Sequence, residues 1–554
     1  MPEYLSPGVY VEEIEIGGKP IQGVSTSTAG FLGEAERGPT RPRLVASYTD
    51  FERIYGGYID KSYLAYAVSG FFRNGGQRCF IGRIVRISND PANPNSLPNA
   101  RKAVHEHDSI TLEAVGEGNW GNNLAYKIEK GSLEDEKNPD KRFFKLTVIY
   151  WRKRPPGSDQ NPQIPVDPTD RNLLRDSKRR PPQVLEVYDN LSHLSTSPDF
   201  FKKRVNGISN LIKLDFKTDQ NGNPIIKRPN NTDGLKAFVD YTLPADQVDV
   251  LDGGEVTAPD YDGKLIEIIE DGERIAERSG LLGFEYVDEI SLVCAPDEGR
   301  HNGLTDKIVD HCESENLKDR FAITGSKQTD SPSNIGNFQP PRESKYAAFY
   351  YPWIKVLDPL TNRDKLVPPV GHIAGIYARS DNERGVHKAP ANEIVRGARS
   401  LQFAIGKGQQ DMLNPRGINV IRAFQGRGIR VWGARTTSRD PLWKYVNVRR
   451  LFLFLEESID EGTQWVVFEP NNERLWARVI QTITQFLTTV WRTGALMGLT
   501  AEEAFFVKCD RTTMTQDEID NGHLICVIGV APVKPAEFVI FRIAQYTGGP
   551  GAIE

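Results

Sequence analysis

The densest run of groups able to do chemistry is Tyr377 to Glu393, YARSDNERGVHKAPANE, which brings together Asp381, Glu383, Arg384, His387 and Lys388. Carboxylate, imidazole and ammonium so grouped can supply a general acid, a general base and an electrostatic stabiliser. The same charges equally suit an ordered loop whose ions pair with one another or with a neighbouring chain. Both readings stay open at the level of the residues. His105 and His107, in HEH, can place two imidazoles on one side of a strand, but no third ligand stands near them to complete a metal site. His311-Cys312 adjoins acidic residues on a helical pattern and reads as a helix position before it reads as a nucleophile with its base. GxSxG, HExxH and GxxxxGK[ST] are absent, and GKGQQ and GRGIRVWG fit neither phosphate-loop nor dinucleotide spacing. No catalytic residue, metal or cofactor is therefore expected. The five cysteines are scattered, odd in number and without CxxC, which reads as reduced, mostly buried thiols.

The elements that must carry these groups follow from composition and period. The chain has 554 residues, 38% hydrophobic and 26% charged, with a net charge of −5, a length that suits about three or four domains. Near balance of acids and bases argues against bulk binding of nucleic acid. No apolar run approaches the ~20 residues of a membrane span, and no basic stretch followed by an apolar core marks a secretory signal. TAGFLGEA reads as a strand, Leu64, Ala67, Val68, Phe71 and Phe72 recur at helical spacing, and RCFIGRIV reads as a buried strand. Strand, helix, strand opens an α/β fold. SITLEAVGEGNWGNNLAYKIEK and KRFFKLTVIYWRK alternate like half-exposed strands. The proline-rich, mixed-charge stretch from Arg152 to Gln183 reads as a long surface loop, and QVLEVYDNLSH resumes the ordered pattern. LIEIIEDGERIAERSG predicts a helix before the strand EISLVCAPD. TDKIVDHCESENL then predicts a helix, RFAITG a strand, YAAFYYPWIKVLDPLT a strand and IVRGARSLQFAI a helix. The clearest helix is NERLWARVIQTITQFLTTVWRTGAL, with Trp476, Val479, Ile480, Ile483, Phe486, Leu487 and Val490 on one face and Asn471 or Asn472 as N-cap. AFFVKCD and HLICVIGVAPV read as strands, with TQDEIDNG between them as a one-turn helix boxed by Thr515 and Glu518.

A strand signal stands at each end. Near the start, Val9, Tyr10, Val11 and Ile14 alternate after Pro7-Gly8 and stop at Gly17-Gly18. Near the close, Phe538, Val539, Ile540, Phe541 and Ile543 make a strand apolar on both faces, which wants a slot inside a sheet. Either the two pair within one molecule or they add to other copies; strand addition between identical chains propagates into a helix or ring.

The stretches SPGVYVEEI…KPIQGVSTSTAGFLGEAERGP, SYTDFERIYGG, YAVSGFFRNGGQRCFIGRI, YAAFYYPWIKVLDP, VPPVGHIAGIYARSDNERGVHKAPANE, LNPRGINVIRAFQGRGIRVWGARTTS, WKYVNVRRLFLFLEESI and WVVFEPNNERLWARVI resemble, in consistent order, the phage tail sheath family, including the sheaths of contractile injection systems. The likeness is least over about 100–184, beyond NWGNNL. The resemblance implies a mixed α/β (α+β) multidomain fold. Its parts would be an N-terminal arm at 1–22, a middle α/β domain at 23–100 and 185–385, a variable outer β-rich insertion at 101–184, a C-terminal inner core domain at 386–532 and a C-terminal arm at 533–554. It further implies a structural, non-enzymatic subunit that polymerises as stacked hexameric rings or a helix around an inner tube protein, and contracts to drive that tube through a target envelope. Baseplate, tail terminator or cap proteins and sister sheath proteins are the implied partners, with no nucleic acid and no membrane insertion. Assembly in the bacterial cytoplasm, then a place in a phage tail or a released injection particle, is the implied location. The terminal strands become inter-subunit links, Gly17, Gly18, Gly23, Gly548 and Gly549 become hinges, and the Asp381–Lys388 charges become an inter-subunit loop. Since the family's C-terminal domain lies innermost, Arg474, Arg478 and Arg492 on the 473–496 helix become the expected contact to an acidic tube. The alternatives are a soluble α/β enzyme built on 377–393 and a polymerising scaffold that does not contract.

Overall fold

The computed structural model describes residues 20–87, 99–134, 142–243, 248–270 and 273–542. These form two compact units: one from residues 20–25, Ser380–Ala389 and 442–542, the other from the described residues of Thr26–Arg379 with Pro390–Pro441.

The larger unit is built on an eight-stranded sheet. Its strands are β1 (Ala29–Gly33), β2 (Arg43–Val45), β3 (Cys79–Arg83), β4 (Leu292–Cys294), β5 (Phe321–Gly325), β6 (Ala347–Tyr351), β7 (Ile418–Phe424) and β8 (Gly428–Val431). They lie in the order β2-β3-β1-β4-β5-β6-β7-β8. The six inner strands are parallel, while β2 and β8 close the two edges antiparallel. Strands β1, β5 and β6 are buried at every residue, as a sheet covered on both faces requires of apolar runs such as AGFLG and AAFYY. The helix Leu64–Arg73 crosses from the first parallel strand to the next, its apolar repeat buried. It lies close to α1 (Val370–Arg384): a Cβ on Gly371 would fall 2.4 Å from the Ala67 backbone, so only glycine permits the approach.

Between β3 and β4 the chain inserts a β-rich body. One sheet pairs Val104–His107, Ile110–Ala114 and Ile212–Phe216; another orders Lys236–Ala237, Leu124–Lys130, Phe144–Tyr150 and Val184–Leu191. A single apolar core joins residues from Ala103 to Leu251. The expected boundary at 184 thus falls on the first residue of the strand that closes one edge of the second sheet. The loop from Arg152 to Gln183 holds only a short 3-10 turn and one isolated bridge.

Two expected helices are absent. LIEIIEDGERIAERSG is an antiparallel hairpin, Leu265–Glu270 against Glu273–Arg278. Its Asp271-Gly272 dipeptide is a two-residue hairpin signal that outweighs apolar spacing compatible with either period. IVRGARSLQFAI is extended, with a bridge at Ile394 and a two-residue strand at Ser400–Leu401; Gly397 at φ +88° breaks any helix there. YAAFYYPWIKVLDPLT divides into β6 and Ile354–Asp358, separated at Pro352, which cannot donate to a ladder.

The smaller unit packs α2 (Val446–Thr463) and α3 (Glu473–Arg492) with the ribbon of Phe505–Lys508 and Val527–Val530. Asn472 caps α3, its carboxamide oxygen accepting from the Arg474 and Leu475 amides at 3.0 and 3.1 Å. Leu475, Trp476, Val479, Ile483, Phe486, Leu487 and Val490 face a core shared with Leu451, Leu455 and Phe505. The Thr515–Glu518 capping box forms as expected.

Candidate functional site

The polar run from Tyr377 is not a loop at its start: α1 continues to Arg384 and ends before Gly385 at φ +91°. Asp381, in the smaller unit, is held by a fork of Arg450, Nη1 to Oδ1 at 2.9 Å and Nη2 to Oδ2 at 2.6 Å, with both side chains 3% exposed. That correction removes Asp381 from any surface role, because its lone pairs are directed to a guanidinium inside the unit. Beside it, Asn447 Nδ2 donates to the His387 carbonyl at 2.8 Å and to the Val533 carbonyl at 3.1 Å. Burial lowers the His387 imidazole pKa, helped by Arg384. Glu383 and Arg384 are exposed, whereas His387 and Lys388 are partly covered. The carboxylate of the run that lies closest to the core is thus paired with Arg450.

The other groups able to do chemistry are also occupied by structure. His105 and His107 do share one side of their strand, their rings 5.4 and 5.9 Å from that of Tyr126. His105 Nδ1 meets the Tyr126 hydroxyl at 3.1 Å and His107 Nε2 the Asn230 carbonyl at 2.9 Å. Among the described residues no cluster of three His, Cys, Asp or Glu side chains can hold a metal. Burial pushes the His311 pKa down to about 4, with Arg320 adding to the effect, and drives the Cys312 thiol up, the opposite of an activated nucleophile.

Two buried acids escaped sequence reading. Asp297 and Glu298 follow β4, where strands on either side of β1 are reached in opposite directions, the usual ligand crevice of an open parallel sheet. Asp297 accepts from the Ser62 hydroxyl at 2.5 Å and the Tyr63 amide at 2.9 Å. Glu298 accepts from the Gly325 amide at 2.6 Å and the Thr305 hydroxyl at 2.9 Å. Those partners tie neighbouring loops to the sheet, so the crevice is cross-braced. In APDEGRH the pair looks like turn chemistry; only the strand order reveals it.

The ends of the smaller unit differ in character. Residues 20–25 are docked along α2: the Val24 amide donates to Ser458 Oγ at 3.1 Å, and a Cβ on Gly23 would lie 2.8 Å from the Phe454 ring. Gly23 therefore serves close packing, which corrects its place among the hinges. Val9, Tyr10, Val11, Ile14, Gly17, Gly18, Ile543, Gly548 and Gly549 lie outside the described residues. At the other end, Tyr445 donates to Glu537 at 3.1 Å and Lys444 stands 3.7 Å from it. Beyond that anchor, Phe538, Val539, Ile540 and Phe541 are 71%, 67%, 79% and 84% exposed. Residues 533–542 form no strand within this chain. Nearby in sequence, Phe505–Lys508 and Val527–Val530 make a ribbon of only two strands, so each has an edge unpaired by a further named strand among the described residues. Such a ribbon is marginal alone and gains from a further strand.

On α3, Arg474, Arg478 and Arg492 are all exposed. At 100° per residue, Arg474 and Arg492 share one azimuth and Arg478 lies about 40° away, making a stripe roughly 27 Å long. Gln481 and Gln485 fall within it, and no carboxylate does. Arg478 sits over the Trp465 ring at 4.5 Å, which fixes its head without neutralising it.

The architecture is that of a multidomain α/β protein whose buried polar groups brace structure and whose uncovered surface is apolar at the tail and cationic on one helix. Residues 254–437 match the phage tail sheath protein central domain and residues 438–545 the phage tail sheath C-terminal domain, a continuous run over more than half the chain. The chain belongs to the phage tail sheath family. It is 28% identical over 186 residues to the tail sheath protein of Vibrio phage KVP40, covering 33% of this chain and 27% of that one. Over 184 residues it is 30% identical to the tail sheath protein of Burkholderia phage BcepMu, covering 32% and 37% respectively. The chain thus spans well under half the length of these curated relatives. Its fold is similar to that of the contracted sheath complex of the extracellular contractile injection system PVC, with a TM-score of 0.54 and 20% identity over 98% of this chain and 99% of that one.

Proposed function

We propose that this chain is the structural subunit of a contractile sheath: it polymerises around an inner tube and shortens to drive the tube through a target envelope, without catalysis. Membership of the sheath family supports this. The observation that carries it is the run Phe538–Phe541, four consecutive apolar side chains left uncovered just past an anchored segment. Burying four such side chains is worth roughly 6–12 kcal/mol, while ordering ten residues costs about 10–20 kcal/mol. A single arm therefore falls about 4–8 kcal/mol short before its ladder hydrogen bonds, at about 0.5–1.5 kcal/mol each, are added. Strand addition of this kind holds when many copies link at once. The arms at both ends, adding to the two-stranded ribbon of neighbouring copies, give a mesh in which subunits move while staying joined. Glu383, Arg384, His387 and Lys388 belong to inter-subunit contacts, and the arginine stripe of α3 faces an acidic tube. The tube, a baseplate and a terminator or cap are the partners, and assembly takes place in the bacterial cytoplasm.

Deletion of residues 1–16, or the pair Phe538→Asp and Ile540→Asp, tests the reading. Electron microscopy should show folded, unassembled subunits with unchanged circular dichroism. Sheaths of ordinary length from either variant would refute strand addition. Two sheath diameters in one wild-type preparation separate a contractile sheath from a static scaffold.

A further inference from the structure

The ribbon of the smaller unit has a feature unrelated to the arms. Its ladder runs from Phe505 opposite Val530 to Lys508 opposite Val527. One further step in the same register sets Cys509 opposite Cys526. Directly opposed residues of an antiparallel pair have Cα atoms about 4.5–5.5 Å apart, inside the ~4.4–6.8 Å that a disulfide spans. Both cysteines are free thiols, and the two side chains hydrogen-bond one another. The loop they close is held by contacts that do not use sulfur. Thr513 Oγ1 donates to the Ile525 carbonyl at 2.9 Å, the Asp510 amide donates to Thr513 Oγ1 at 3.1 Å, and the His523 amide donates to the Glu518 carbonyl at 2.8 Å. The sulfurs are thus kept together by the surrounding fold. Cys509 is 2% exposed, whereas Cys526 is partly exposed, so one thiol is reachable and the other waits behind it. Cys79, Cys294 and Cys312 are fully buried in the other unit.

We propose that Cys509 and Cys526 form an oxidation site: on meeting a low-molecular-weight disulfide they close an intrachain bond that staples the base of the ribbon. The Cys526 thiolate attacks one sulfur of the small disulfide, forming a mixed disulfide and releasing one thiolate, which takes up the proton that Cys526 gave up. Cys509 then loses its proton and attacks Cys526 Sγ, and the second small thiol leaves with that proton. Two protein thiols are oxidised, and one small disulfide is reduced to two thiols. The staple pins the register of the strand Val527–Val530, from which the chain runs through Val533 to the apolar tail. An oxidising medium outside the cell would therefore lock the ribbon.

Incubating the full chain with oxidised glutathione, followed by alkylation under denaturing conditions and peptide mapping, tests this. The free thiols should fall from the five of the sequence to three, with one linked peptide pair joining Cys509 and Cys526. Cys509→Ser should instead accumulate glutathione on Cys526, and Cys526→Ser should give neither product. Because burial and the neighbouring Cys509 push the wild-type Cys526 thiol up to about 11, the wild-type link should form close to tenfold faster per pH unit between pH 7 and 9. The oxidised wild type should melt higher than the reduced one, a rise absent from both serine variants. Five thiols retained, a stable glutathione adduct on wild-type Cys526, or a link to another cysteine would each overturn the site. A link without a rise in melting temperature would overturn the staple.

Discussion

Replacing Glu298 by glutamine should make the protein more stable at alkaline pH, although it removes a fully buried, doubly hydrogen-bonded side chain. Burial pushes this carboxyl from 4.5 up to about 8, against the opposing pull of the Thr305 and Gly325 hydrogen bonds. The folded chain therefore keeps a proton that the unfolded chain has released. A raised carboxyl pKa contributes stability that is fully present below the unfolded value and is lost as pH rises through the folded one. At about 1.4 kcal/mol per pKa unit, the contribution is about 4 kcal/mol at pH 5, about 1.4 kcal/mol at pH 7 and close to nil by pH 9. Glutamine copies the neutral acid: its oxygen can accept from the Gly325 amide, and its NH2 can donate to the Thr305 hydroxyl. Wild type and Glu298→Gln should thus melt together at pH 5 and diverge steadily above it, by about 2.5 kcal/mol at pH 7. By pH 9 the variant should lead by about 4 kcal/mol, on the order of 5 °C for a unit of this size. Glu34, pushed to about 7 by burial and by the neighbouring Asp297, titrates in both proteins and cancels in the difference. Calorimetry of both proteins across pH 5–9 reads that difference. Melting curves that stay parallel across the range would refute the reasoning, because glutamine would then have removed no titration.

Breaking the Asp381–Arg450 fork by Asp381→Ala should cost about 3–5 kcal/mol by stranding a buried guanidinium. Asp381→Leu with Arg450→Met should recover most of that loss, as chemical denaturation would show. Reversing Arg474, Arg478 and Arg492 to glutamate should leave the melting temperature within a degree or two, because the three heads are exposed. The same change should abolish co-sedimentation with the inner tube, and retained binding would remove the stripe from the interface.

The parts of this fold that sequence made legible are those in which one physical signal dominates. In α3 the 3.6-residue repeat, the Asn472 cap and its apolar face agree, and the structure reproduces all three. Residues 265–278 went the other way. Leu265, Ile266, Ile268 and Ile269 satisfy either a helical stripe or a strand with one irregular step, and the decisive sequence signal is the Asp271-Gly272 dipeptide. At 394–405 the apolar spacing was an accident of composition, and Gly397 carried the contrary signal. The extent of the β-rich insertion was hidden because its sheet closes with Val184–Leu191, which follows the loop from Arg152 to Gln183. Proximity along the chain misassigned that strand.

Asp381 shows why the candidate site was the least legible part. Its partner lies 69 residues away, in VNVRRLFLFLEES, where two arginines inside an apolar helix look like a solvated interruption. Arg450 is in fact buried, and a buried guanidinium demands a carboxylate with fork geometry. A charged residue on the apolar face of a helix is a question about its partner, and the nearest dense cluster of opposite charge is where that partner should be sought. On α2 the question has two answers: Arg449 pairs with Glu456 on the same helix, and Arg450 with Asp381. Applied to α3, it gives the opposite result: its arginines lie on the polar face, need no partner within the unit, and remain available to a surface outside it.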